Sequence, residues 1–183
     1  MGYTHYWRQK RAFTEGEWQI IVAESKRICA KATRALYCGP EDFASATSCE
    51  HDDNGFRVGF KEEGAWRTFA HPEIATPMQG QGIKLAGPSG EGSPAFDADS
   101  IALNGAVPNE DYESFVLERA PIAEGWQSKD PATKRDGIFN FCKTEYRPYD
   151  AVVVSILHVA RTVAPDAITV TSDGGPEAIK LVF

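Results

Sequence analysis

The chain has no run of 18 apolar residues, so nothing in it reads as a membrane-spanning helix. Its start is polar-aromatic and then basic, without the apolar stretch that directs secretion. Its four cysteines, Cys29, Cys38, Cys49 and Cys142, form no Cys-x-x-Cys pair. That argues against a disulfide framework and for reduced thiols in the cytoplasm. The glycine-rich Gly87-Pro88-Ser89-Gly90-Glu91-Gly92 lacks the Gly-Lys-Ser/Thr of a phosphate-cradling P-loop. Cys49, His51, Asp52 and Asp53 have no second pair at ligand spacing, so they read as a turn and not as a metal site. No cofactor is expected. A surplus of positive charge is missing too: the net charge is −7, which excludes a general nucleic-acid binder.

What is present is the composition of an ordinary globular protein, 42% apolar and 25% charged over 183 residues, read as one domain spanning 1–183. The charge is uneven. Residues 1–40 carry seven Lys or Arg against three Glu, whereas residues 41–130 carry six against seventeen acids. A basic first segment on an acidic body suits one local anion site.

The opening Tyr3-Thr4-His5-Tyr6-Trp7-Arg8 alternates as a strand does. Thr14 and Glu17 are spaced as a capping box, with Phe13 and Trp18 at the two positions of a hydrophobic staple. Trp18, Ile21, Val22, Ser25, Ile28, Cys29, Ala32, Ala35 and Leu36 then give one helical face, and the pattern predicts a helix over 15–37 before Gly39-Pro40. The middle of the chain reads as strands, at 56–60, 100–104 and 114–119. Residues 72–99 are rich in Gly, Pro and Ser and read as a long mobile loop, a lid over a ligand or a surface buried in a homo-oligomer. Phe139-Asn140-Phe141 reads as a strand, 148–164 as a second helix and Ile168-Thr169-Val170 as a last strand. The fold class expected is α+β: a mainly antiparallel sheet of about five or six strands against two principal helices.

Both ends of the chain share a strand with aromatics, a cationic loop and a helix. A helix start exposes N–H groups and partial positive charge, arginine adds a planar fork, and aromatic rings can stack on a base. The residues expected to bind are Trp7, Arg8, Asn140, Lys143, Tyr146, Arg147 and Tyr149, with Asn104 as a further base or ribose partner. The ligand expected is a small phosphorylated molecule resembling a nucleotide, bound without chemistry. Two other classes compete. One is an enzyme using Cys142 with His5 or His158 as base, or an acid–base pair such as His5 with Glu113. The other is an acidic interaction module that imitates nucleic acid or docks on a host protein.

The segments MGYTHYW, FNFCKT, PYD and SDG, with SIALNGA and ESFVLE between them, resemble a family of uncharacterised proteins of bacteriophages and bacterial genomes. The family supplies no activity to carry over. Its phage association implies a setting in the host cytoplasm, where a nucleotide binder could act as a sponge for a cyclic-nucleotide immune signal.

Overall fold

A computed structural model of the chain describes residues 3–33, 82–108, 110–145 and 147–181, and the backbone path of 48–52, 55–62 and 65–67. Its elements run β1 (Thr4–Gln9), α1 (Glu15–Ala32), β2 (Ser48–Asp52), β3 (Gly55–Glu62), β4 (Ala65–Arg67), β5 (Leu85–Ala86), β6 (Ala95–Phe96), β7 (Ser100–Gly105), β8 (Phe115–Glu118), α2 (Pro131–Asp136), β9 (Ile138–Lys143), α3 (Asp150–Val163) and β10 (Ile168–Ser172). The class is α+β and every strand pairing is antiparallel, as the sequence predicts. The described strands divide among three sheets, where the sequence suggested one. They are β10-β1-β9, β2-β3-β4, and β7 with β5, β6 and β8 on it. Glu113 and Lys143 bring the start of β8 to the end of β9, through Glu113 N–H to the Lys143 carbonyl at 3.3 Å. No helix among the described residues is long and apolar enough to cross a membrane.

Helix α1 starts where its sequence says. Thr14 Oγ1 accepts from Glu17 N–H at 3.3 Å and Glu17 Oε2 accepts from Thr14 N–H at 2.8 Å, which closes the capping box. Phe13 and Trp18 stack at 5.9 Å and are both buried, the staple made solid. Its buried residues are Trp18, Ile21, Ser25, Ile28, Cys29 and Ala32. Residues 34–37 of the predicted helix lie outside the described residues. Helix α3 is buried on most sides: Ala151, Val152, Val153, Val154, Ile156, Leu157, Val159 and Ala160 all lie in the core. It packs on α1 and on β10, and one continuous apolar core joins both helices to β1, β7, β8, β9 and β10.

Residues 72–81 lie outside the described residues, whereas 82–99 are built into the fold. Leu85 and Ala86 pair with Gly105 and Asn104, and Ala95 and Phe96 pair with Ala102 and Ile101. Two-residue strands are too short to show a period, which is why the segment reads as loop. Ile83 is fully buried and anchors it, with its N–H on the Ala32 carbonyl at the end of α1.

Candidate functional site

Sheet β10-β1-β9 has two unlike faces, set by the period of two along each strand. On the inner face His5, Trp7 and Gln9 of β1 are all buried. His5 stands opposite Cys142 on β9 and Ser172 on β10. His5 Nε2–H donates to Asp150 Oδ1 at 2.6 Å, and the Thr144 hydroxyl donates to the same carboxylate oxygen. The Tyr3 ring meets His5 edge-on at 5.0 Å. Asp173 accepts from Thr4 N–H at 3.0 Å through one oxygen and from the Tyr6 hydroxyl at 3.1 Å through the other. Gly174 leaves room for the Tyr3 hydroxyl, which any Cβ there would strike. The segments YTHYW, FNFCKT, PYD and SDG, far apart in sequence, therefore meet around one sheet.

This packing consumes both helix starts. Asp150 is the first residue of α3 and only 3% exposed, so the helix already carries its own anion where a ligand phosphate was expected. At α1 the same place is taken by Glu17 and by Arg11, which bridges Glu17 and Asp166 at 2.8 Å each. At each start an acidic side chain already sits at the positive end of the helix.

The outer face is different. In register across the strands lie Thr169, Arg8 and Phe139, then Thr171, Tyr6 and Phe141, then Lys143 opposite Thr4. Phe141 is 53% exposed, Thr169 and Thr171 are exposed, and Tyr6, Arg8, Phe139 and Lys143 are half-buried. Phe139 is the hub. It stacks with Tyr6 at 6.1 Å, packs against Phe141 at 6.0 Å, and carries the Arg8 guanidinium 5.2 Å above its ring centre. Arg8 directs one N–H to the Gly137 carbonyl at 3.4 Å, its one hydrogen bond among the described residues. Lys143 donates to the Tyr112 hydroxyl oxygen at 3.1 Å, which holds the ammonium above the usual lysine range. Two cations thus border a strip of three aromatic rings, of which Phe141 is exposed and Tyr6 and Phe139 half-buried.

Of the residues expected to bind, Arg8 and Lys143 share this face. Asn140 pairs with Trp7 and falls on the opposite one. Trp7 is 2% exposed and packs on Phe115 at 5.5 Å, so its ring offers no face to a ligand. Tyr149 is fully buried, its hydroxyl donating to the Glu113 carbonyl at 2.7 Å. Arg147 is half-buried ahead of α3, and Tyr146 lies outside the described residues. Asn104 spends its amide inside its own loop, on the Tyr112 backbone N–H and carbonyl at 3.2 Å. In the sequence Phe139 and Phe141 read only as strand residues. The signal was present in Phe139-x-Phe141-x-Lys143, three alternate residues with rings and a cation, although only the register puts them beside Tyr6 and Arg8.

The catalytic candidates are held otherwise than expected. Cys142 is fully buried, burial pushes its thiol far above its ordinary value, and Sγ faces the Glu113 carbonyl at 3.5 Å. Glu113 accepts from Lys143 N–H at 2.8 Å instead of meeting His5. His158 Nδ1 lies 3.4 Å from the Ile179 carbonyl. The side chains of Cys49, His51 and Asp52, and Asp53 itself, lie outside the described residues.

No family model, curated protein or solved structure matches this chain.

Proposed function

We propose that the protein binds a nucleotide on the outer face of sheet β10-β1-β9, without turning it over. The observation that carries this reading is the Phe139 hub, with Arg8 above its ring at 5.2 Å and Tyr6 and Phe141 beside it. Aromatic rings on a solvent-facing sheet give up little packing when a base stacks on them, and each such stack contributes about 1–3 kcal/mol. Arg8 and Lys143 supply the charge that a phosphate requires. The burial of Cys142, the thiol considered for catalysis, in the core supports binding without chemistry. A nucleotide so held is sequestered. A cyclic-nucleotide immune signal is the ligand class that the phage resemblance adds to the panel.

Calorimetry with AMP, GMP and cyclic nucleotides, followed by analysis of the recovered ligand, tests the reading. The expected result is saturable binding with the ligand recovered intact, weakened by about 1–3 kcal/mol in Phe141→Ala and by about 1.5–3 kcal/mol in Arg8→Ala. Altered ligand would make the protein an enzyme. Variants that bind as tightly as the parent would move the site off this face.

A further inference from the structure

We infer that the chain forms a two-fold homodimer by pairing strand β10 edge to edge with β10 of a second copy, whatever the outer face binds.

Sheet β10-β1-β9 has two edges, and they are finished differently. At the β9 edge, Gln127 Oε1 accepts from Phe139 N–H at 3.0 Å. Glu113 Oε2 accepts from Lys143 N–H at 2.8 Å, and Glu113 N–H donates to the Lys143 carbonyl. Both ends of that edge are closed. On β10 the ladder with β1 is bounded by Asp173 N–H on the Thr4 carbonyl and Lys10 N–H on the Ala167 carbonyl. By the alternation of an antiparallel pair, Thr169 and Thr171 spend their backbone groups on β1, and Ile168, Val170 and Ser172 turn theirs outward. Ile168 N–H is taken by the Ala164 carbonyl at 3.3 Å, and the Ser172 carbonyl by Gly175 N–H at 3.0 Å. The Ile168 carbonyl, both backbone groups of Val170 and the Ser172 N–H have no partner among the described residues.

This set is symmetric about Val170. Around a two-fold axis placed there, Val170 exchanges both bonds with its counterpart, and each Ser172 N–H meets the Ile168 carbonyl of the other copy. A row of groups that complements itself is what a two-fold interface requires. The side chains agree. Strand β10 reads Ile-Thr-Val-Thr-Ser, mostly β-branched and without charge. Edge strands that stay single are commonly guarded by a lysine, a proline or a bulge, and β10 has none of these in its unbroken register with β1. Thr169 and Thr171 are exposed, and the same axis sets each opposite the other, a favourable cross-strand pair. The product is one continuous sheet with three strands from each copy.

Sedimentation velocity on the whole chain from about 1 μM to about 1 mM tests this, with amide exchange read by NMR at both ends of the range. The weight-average mass should rise toward double, and the Val170 and Ser172 amides should exchange more slowly in the concentrated sample. Thr169→Lys combined with Thr171→Lys sets like charges opposite one another across the axis and should abolish the rise. Thr169→Lys combined with Thr171→Glu sets opposite charges there and should keep it. Circular dichroism confirms that both variants are folded. A mass that stays single at the highest concentration would overturn the inference. So would a dimer whose Val170 and Ser172 amides exchange as fast as in the monomer, or one that the two lysines leave intact, because either places the contact elsewhere.

Discussion

His5 Nε2 lies 2.6 Å from Asp150 Oδ1 across 145 positions of sequence, with the two side chains 0% and 4% exposed. The contact fastens the middle of β1 to the first turn of α3. Removing one partner of a buried polar pair strands the other, at about 3–5 kcal/mol where the pair is charged. Asp150→Ala should therefore destabilise the fold by at least about 1–3 kcal/mol, the cost of a stranded buried donor, and Asp150→Asn, which keeps an acceptor oxygen, by less. Urea unfolding of the two variants against the parent measures it. A parent-like midpoint in Asp150→Ala would show that the contact contributes nothing.

Neighbours on β1 and β9 should respond in opposite ways. Trp7 fills the core against Phe115, so Trp7→Ala should lose about 3–5 kcal/mol of stability. Phe141 projects to solvent, so Phe141→Ala should change stability by no more than about 0.5 kcal/mol while losing ligand. Thermal melts of the two proteins side by side separate core from binding face. Equal losses would mean that the outer face is packed.

The start of α1 carries a pH dependence of known sign. Arg11 chiefly, and then the Thr14 backbone N–H, draw the Glu17 carboxyl down from 4.5 to about 2. A carboxylate lowered on folding stabilises the native state above its unfolded value, and that contribution fades as pH falls from about 4.5 through about 2. Glu17→Gln should be less stable than the parent at neutral pH and converge with it toward pH 2. Stability curves that stay parallel across that range would remove Glu17 from the acid response.

These contrasts mark how much the sequence made legible. The start of α1 could be read because a capping box and a staple are local: Phe13, Thr14, Glu17 and Trp18 sit within six positions. The α3 face and the strand at Phe139–Phe141 could be read from their periods. Asp150 suits a helix start, yet its partner His5 is invisible to any local pattern. For the same reason both helix starts read as open when each is already occupied by an acid. Trp7 and Tyr6 are adjacent and equally aromatic, and alternation says that they face opposite sides without saying which is buried. Packing against Phe115 decides it. The proposed site accordingly lies on the far side of the same sheet from the helix starts and includes Arg8 and Lys143.

Binding on the outer face is tested most directly by the ring resonances of the protein with Tyr and Phe isotopically labelled, followed during titration with AMP. Ring-current shifts should grow at Tyr6, Phe139 and Phe141 and saturate together, while Tyr3, Phe13 and Tyr149 stay in place. Saturable shifts at Tyr149 and Phe13, beside the helix starts, with the three outer rings unmoved, would contradict the account.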